Sequence, residues 1–236
     1  MIDLSDLRGI LFDKDGVLID YHATFDPLNR AVAFTAANGD AALADAVLRH
    51  TGYDDALNKV VGGSLLAVAT LHEIADVMTA FVAPDNPTEL HSRIVAQLDA
   101  GPPETVLVEE CAATLHTLKT RGLKLGIATN DSEAGLQHTL GAHGILPLFD
   151  FVAAYDSGYG SKPGPGMALA FCDACALLPE EIAMVGDNLH DVMCGRAAEA
   201  GACIGVLTGT SNAATLGSAA DVVIDSIADL PALLAT

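Results

Sequence analysis

The sequence predicts an α/β protein: a doubly wound parallel sheet with an all-helical domain inserted after its first strand. Two observations carry this. Short apolar runs recur along the chain, each ending in a polar residue or a glycine and each followed by a stretch of helical pattern. Runs of this kind between helices are strands buried on both faces, the signature of βα units. Between about Asp20 and Gly101 the rhythm changes, and helical segments succeed one another with no strand between them.

Each element follows in order. "GILF" at Gly9–Phe12 is the first strand and stops abruptly at Asp13. "DPLNRAVAFTAAN", "DAALADAVLRH", "DDALNKVV", "SLLAVATLHEIADVMTAFV" and "TELHSRIVAQLDA" are helices, with Asp, Ser or Thr at their N-caps. "DAGPPETV", stiffened by Pro102 and Pro103, is the linker back to the sheet. The further strands are "LKLGIA" before Thr129, "FVAA" before Tyr155, "IAMVG" before Asp187 and "CIGVLTG" from Cys203. A last strand, "DVVID", precedes the helical "SIADLPALLA". The α/β core is thus expected over residues 1–19 and 101–236, and a helical cap domain over 20–100.

Composition narrows the function. With 236 residues, 51% of them hydrophobic, the chain can bury a sizeable core. Eleven basic residues against 31 acidic ones give a formal charge of −20. That argues against nucleic acid, whose phosphates need a concentrated basic surface, and against an anionic membrane surface. The N-terminus "MIDLSDLRGILF" carries acids where a signal peptide has a basic leader, and no apolar run approaches the roughly 18 residues of a membrane span. A cytoplasmic protein is expected. The five cysteines are expected to be reduced core thiols; "CDAC" at Cys172–Cys175 lies in a helical pattern with no second pair to complete a metal site.

The chemistry lies at the strand ends, where parallel sheets bind their ligands. Asp13 and Asp15 stand at positions i and i+2 and can face one substrate. A carboxylate is ionised at neutral pH and can attack phosphorus without a general base. Protonating the leaving oxygen then calls for a neighbouring acid, and a second carboxylate serves because like charge raises its pKa. Gly16 lets the backbone approach and turn, and is expected among the phosphate contacts. Thr129 and Asn130 precede a helix opening "DSEAG", where a hydroxyl and main-chain amides could cradle phosphate. Lys162, one of five lysines, is held in the turn "GSKPGPGM" and would supply the local positive charge that the overall −20 withholds. Asp187 and Asp191 in "MVGDNLHD" complete, with Asp13, a carboxylate cluster suited to Mg²⁺. An acidic loop, an N-cap, a solvent lysine and a helix cap would each explain one of these four alone. Their ordered recurrence at strand ends is harder to explain without function.

The motifs "DKDGVLID", "IATN", "SKPGP" and "VGDNLHD" resemble those of the haloacid dehalogenase superfamily, and of its phosphatase branch in particular. The likeness covers essentially the whole chain and implies a Rossmann-like core. The helical insert is similar to the cap of phosphoglycolate phosphatase-like and β-phosphoglucomutase-like members. By this resemblance Asp13 is the nucleophile that forms an aspartyl-phosphate, and Asp15 the general acid/base. Thr129 and the Asn130 backbone hold phosphate oxygens, and Lys162 steadies the nucleophile and the phosphoryl group. Mg²⁺ is implied on Asp13, the Asp15 main chain and Asp187, with Asp191 supporting the metal or Lys162. Dehalogenases of the superfamily lack the second aspartate, and phosphonatases replace it and add a cap lysine, for which Lys59 is the candidate; both fit poorly.

Three positions depart from the pattern. Lys14 stands where Leu or Phe is usual, and alternation turns it away from Asp13, toward packing or solvent, with a substrate contact as the other reading. Tyr21 replaces a common Ser, and His190 is read as a surface residue. In the cap, the Gly62–Gly63–Ser64 loop is expected to look into the site, with Gly63, Ser64 and Arg30 as substrate contacts; Arg49 is a further candidate, and a solvated helix face is the other reading of each arginine. The expected partner is a small phosphate ester, taken by a monomer or homodimer. A phosphomutase and a non-catalytic regulatory or ligand-binding protein are the alternatives.

Overall fold

The first apolar run forms strand β1 (Gly9–Phe12), buried along its whole length. The computed structural model, which describes residues 4–235, leaves the sheet at Asp13. There follow α1 (Tyr21–Ala36), α2 (Ala41–Thr51), β2 (Tyr53–Asp54), β3 (Lys59–Val60), α3 (Leu65–Val68), α4 (Leu71–Val82) and α5 (Pro87–Asp99). The chain returns through α6 (Cys111–Thr120), β4 (Lys124–Ala128), α7 (Glu133–Leu140), β5 (Phe151–Ala153) and α8 (Gly166–Cys175). It ends with β6 (Ile182–Gly186), α9 (Leu189–Ala197), β7 (Ala202–Val206), α10 (Ala213–Gly217), β8 (Val222–Ile224) and α11 (Leu230–Leu233).

Six strands form one sheet in the order β5-β4-β1-β6-β7-β8. Every pairing in it is parallel. From β1 the chain runs outward to β4 and β5, then crosses back to lay β6 on the other side of β1. The strand order therefore reverses at β1, the place where open α/β sheets bind ligands. This is the doubly wound sheet expected. The chain divides into two compact units, Met1–Asp20 with Val106–Thr236, and Tyr21–Thr105. Pro102 and Pro103 thus group with the helical unit, where the sequence places them in the linker.

The helical unit is packed around Val32, Ala33, Val47, Met78 and Ile94, all fully buried. It is not wholly helical. "DDALNKVV", expected as a helix, makes a hairpin in which Tyr53 pairs with Val60 and Asp54 with Lys59. The cause is local: Asp54 Oδ1 accepts the amides of Ala56 (2.8 Å) and Leu57 (3.0 Å), closing a turn that competes with helix. Asn58 then takes a left-handed conformation, φ 53°. The long expected helix from Ser64 is likewise cut in two, because Thr70 and Glu73 form a capping box that starts α4 afresh. Helix α1 starts at Tyr21 and carries Pro27 inside it. Its first turn is tied down by the Tyr21 hydroxyl, which donates to the Leu66 carbonyl at 2.8 Å. Among the described residues no helix is long and apolar enough to cross a membrane.

Candidate active site

The candidate residues of the α/β unit gather beyond the carboxyl ends of β1, β4, β5 and β6. Asp13 follows β1 directly, its amide bonded to the Val185 carbonyl of β6 at 2.9 Å. Its carboxylate is almost wholly buried, and Lys162 Nζ stands 2.6 Å from Oδ1. The same ammonium lies 2.6 Å from Asp191 Oδ1. Lys162 arrives from the loop after β5, which Asn130 docks: its Oδ1 accepts the Lys162 amide (2.8 Å) while its Nδ2 donates to the Lys162 carbonyl (2.9 Å).

Asp187 follows β6. Its Oδ2 accepts from the Thr210 amide (2.7 Å) and hydroxyl (3.2 Å). Gly16 makes this close assembly possible. Its φ of 79° suits glycine, and a Cβ there would lie 2.7 Å from Gly209 Cα and 2.8 Å from the Asp187 carboxylate. The Thr208 hydroxyl closes the same corner by donating to the Gly16 carbonyl at 2.6 Å. The Gly16 amide is already given to the Ile19 carbonyl at 2.8 Å, so this glycine serves the packing of the site.

Electrostatics here are set by burial. Desolvation pushes Asp13 well above the usual carboxylate range; Lys162 opposes this, while Asp191, Asp187 and Asp15 add to it. Asp187 is pushed up to about 7, by burial first and by Asp191 next, against the pull of the Thr210 amide. Lys162 is raised despite burial, because Asp13 and Asp191 hold its proton. Asp15 is also raised, mainly by burial and against the pull of Lys14. Three buried carboxylates, Asp13, Asp187 and Asp191, thus face the one charge of Lys162. Hard oxygen donors with uncompensated negative charge fit a divalent cation such as Mg²⁺.

The described residues that bring three ligand atoms within 4.8 Å of one another are Asp13, His190 and Asp191. The group does not include Asp187. His190 is not the surface residue expected: only 23% of its side chain is exposed, and Nε2 lies 3.2 Å from Asp191 Oδ1. Burial lowers its pKa, which Asp191 counters in part.

Thr129 is buried after β4, and its Oγ1 accepts the Asp131 amide at 3.0 Å. The start of α7 is not an open phosphate cradle. Asp131 takes the Ser132 amide (2.7 Å), Asp156 the Glu133 amide (3.0 Å) and Ser132 the Gly135 amide (3.0 Å).

Lys14 is packed, one of the readings the sequence leaves open, but its pairing with two carboxylates is not foreseen. It is fully buried, with Nζ 2.8 Å from Asp15 Oδ1 and 3.0 Å from Asp131 Oδ2. Alternation does not govern it, because β1 ends at Phe12 and Lys14 already lies in the turn. Asp131, Thr208 and Thr210 are site residues that sequence reasoning missed; Asp131, a carboxylate directly after "IATN", gives the one local signal.

In the helical unit, Gly63 is exposed with φ 75°. Ser64 is the N-cap of α3, yet its Oγ is buried with no hydrogen-bond partner among the described residues. The Arg30 guanidinium stacks over Tyr53, 4.7 Å from the ring centroid, and donates to the Tyr53 hydroxyl and to Asn58 Oδ1. Arg49 makes an exposed ion pair with Asp55 at 3.0 Å.

Comparison with known proteins gives the class. The family model for haloacid dehalogenase-like hydrolases matches residues 7–199. Phosphoglycolate phosphatase of Salmonella typhimurium is 29% identical over 247 residues, covering 99% of this chain and 95% of the relative. That of Escherichia coli is 28% identical over 252 residues with the same coverage. Among solved structures, a predicted phosphoglycolate phosphatase from Haemophilus somnus superposes with a TM-score of 0.72 at 21% identity, covering 98% of this chain and 99% of that one. A hydrolase of the same family from Deinococcus radiodurans gives 0.70 at 22% identity, covering 98% and 96%. The chain belongs to the haloacid dehalogenase-like hydrolase family. It is an enzyme of the phosphatase type.

Proposed function

We propose that the protein is a Mg²⁺-dependent phosphatase of small phosphate monoesters, phosphoglycolate or a sugar phosphate, working through a phosphorylated Asp13. The observation that carries this reading is Lys162 Nζ, held 2.6 Å from Asp13 Oδ1 at the point where the strand order reverses. A cation at that point orients the nucleophile and draws an anionic substrate into a strongly acidic chain.

In the first step an Asp13 carboxylate oxygen forms a bond to phosphorus as the ester P–O bond breaks. The electron pair goes to the leaving oxygen, which takes a proton from Asp15 and departs as an alcohol. In the second step water attacks phosphorus, Asp15 receives its proton, and the Asp13–phosphorus bond breaks to release phosphate. Thr129 and the Asn130 backbone are assigned to the phosphoryl oxygens. Asp13, the Asp15 main chain and Asp187 would hold Mg²⁺, with Asp191 fixing Lys162 beside them. Once bound, the ion neutralises charge on the transferring group. Substrate choice is assigned to the helical unit, through Gly63, Ser64 and Arg30.

The test is phosphate release from a panel of small esters, with Mg²⁺ and with EDTA, for wild type and Asp13→Asn. Metal-dependent release by wild type alone supports the reading, and the rank order of esters names the substrate class. A sugar bisphosphate that activates turnover and is regenerated would favour a mutase.

A further inference from the structure

We propose that Lys14 is a positioning residue for the proton-transfer group: anchored by Asp131, it holds Asp15 through Oδ1, so that Oδ2 is the oxygen presented to the leaving group. The inference deepens the phosphatase reading above and rests on it.

The Lys14 ammonium meets Asp15 Oδ1 at 2.8 Å, Asp131 Oδ2 at 3.0 Å and Thr139 Oγ1 at 3.3 Å. An ammonium only donates, having no lone pair to accept with, so Lys14 is the donor in each contact. Thr139 gives its own hydrogen to the Gly135 carbonyl at 2.8 Å, so it can only accept from Lys14. A fully buried lysine is costly unless so paired. It is therefore a fixed strut between the Asp15 and Asp131 carboxylates.

The far end of the strut is rigid. Asp131 gives its amide to Thr129 Oγ1 (3.0 Å), accepts the Ser132 amide on Oδ1 (2.7 Å), and its carbonyl accepts the Tyr155 amide (3.1 Å). A chain of bonds thus runs from the end of β4 through Asp131 and Lys14 to Asp15. Asp15 needs it, because it sits in a turn beyond β1 with 26% of its side chain exposed. An aspartate free to change rotamer there would spend part of its time misaligned, and misalignment of a reacting group is costly in rate. With Oδ1 taken by an ammonium that only donates, the proton is handled on Oδ2.

The test compares kcat/KM for alkyl phosphates, whose leaving oxygen requires a proton, with aryl phosphates bearing a good leaving group, which do not. This parameter covers the steps through departure of the alcohol. Lys14→Met, Asp131→Asn and the charge-balanced pair of both are measured with wild type, their folding checked by near-ultraviolet circular dichroism. The expected result is a loss of about 10²-fold on alkyl esters, with aryl esters changed only a few-fold. Asp131→Asn, which keeps Lys14 and an acceptor for Ser132, shows the same selectivity at smaller size and answers alone if Lys14→Met does not fold. Equal losses on both ester classes, or no loss on either, would overturn the proposal. Inactivity of wild type on every ester would overturn the phosphatase reading and this inference with it, a distinguishable result.

Discussion

Lys162 Nζ stands 2.6 Å from Asp13 Oδ1 and 2.6 Å from Asp191 Oδ1, so one buried ammonium ties the end of β1 to the start of α9. Removing it leaves both carboxylates buried without their cation. Lys162→Met is expected to lower phosphate release by on the order of 10²-fold or more, mainly in kcat. Steady-state kinetics check this, and a change confined to KM would count against a role in the chemistry.

Asn130 acts on the same lysine from behind, through its reciprocal pair with the Lys162 main chain. Asn130→Ala frees the loop while leaving Lys162 in place. A loss of roughly ten- to a hundredfold in kcat/KM is expected, as for other groups that orient a charged residue. Activity equal to wild type would show that the loop holds without it.

Asp187 offers a pH-dependent reading. Its folded pKa of about 7 lies above its ordinary 3.8, because burial and Asp191 disfavour the charge. The folded, metal-free protein therefore keeps a proton that the unfolded chain releases. Stability falls as pH rises across that interval. A metal ion competes with this proton and with that of Asp13, which burial also raises, so Mg²⁺ affinity should rise with pH through neutrality. Thr210→Val, which deletes one of the bonds to Oδ2, should weaken Mg²⁺ by about tenfold. Calorimetric Mg²⁺ titrations across pH check both statements; affinity independent of pH would contradict the first.

The frame of the sheet is legible in the sequence because β6 and β7 are buried throughout and β4 nearly so. Such strands read as unbroken apolar runs, and the polar residue that ends each one stands out. Partners across the sheet are less legible. Thr210 lies on the loop after β7 and meets Asp187 only when β6 and β7 pair. The ion pairs of Lys14 are missed because alternation is extended past Phe12, where the strand has stopped. Its burial depends on Asp131, brought alongside by the pairing of β1 with β4. The β2–β3 hairpin has a local cause in Asp54 and Asn58, but each strand is only two residues long and its apolar pattern also fits a helix.

Asp150 supplies an acid-stability prediction away from the site. Burial alone would raise its pKa, but Lys119 at 2.6 Å, the Leu125 amide at 3.0 Å and Lys124 at 3.0 Å outweigh it and hold it at about 2. A depressed carboxylate stabilises the fold above its unfolded pKa and loses that effect as pH falls through the folded value. The stability gap between wild type and Asp150→Asn should be constant above about pH 5 and narrow progressively toward about pH 2. Urea denaturation midpoints measure it, and a gap that does not narrow would contradict the assignment.

The central claim is that Asp13 itself carries the phosphoryl group. It is tested most directly by acid-quenching the enzyme during turnover with Mg²⁺ and a phosphate ester, then weighing the peptide that contains Asp13. Asp15→Asn, which lacks the group that accepts the proton of water, is quenched in parallel with an aryl ester. The account predicts one phosphoryl group on that peptide, labile to hydroxylamine, enriched in Asp15→Asn and absent from Asp13→Asn. Sustained turnover with no phosphoryl group on the Asp13 peptide in any of these proteins would contradict it.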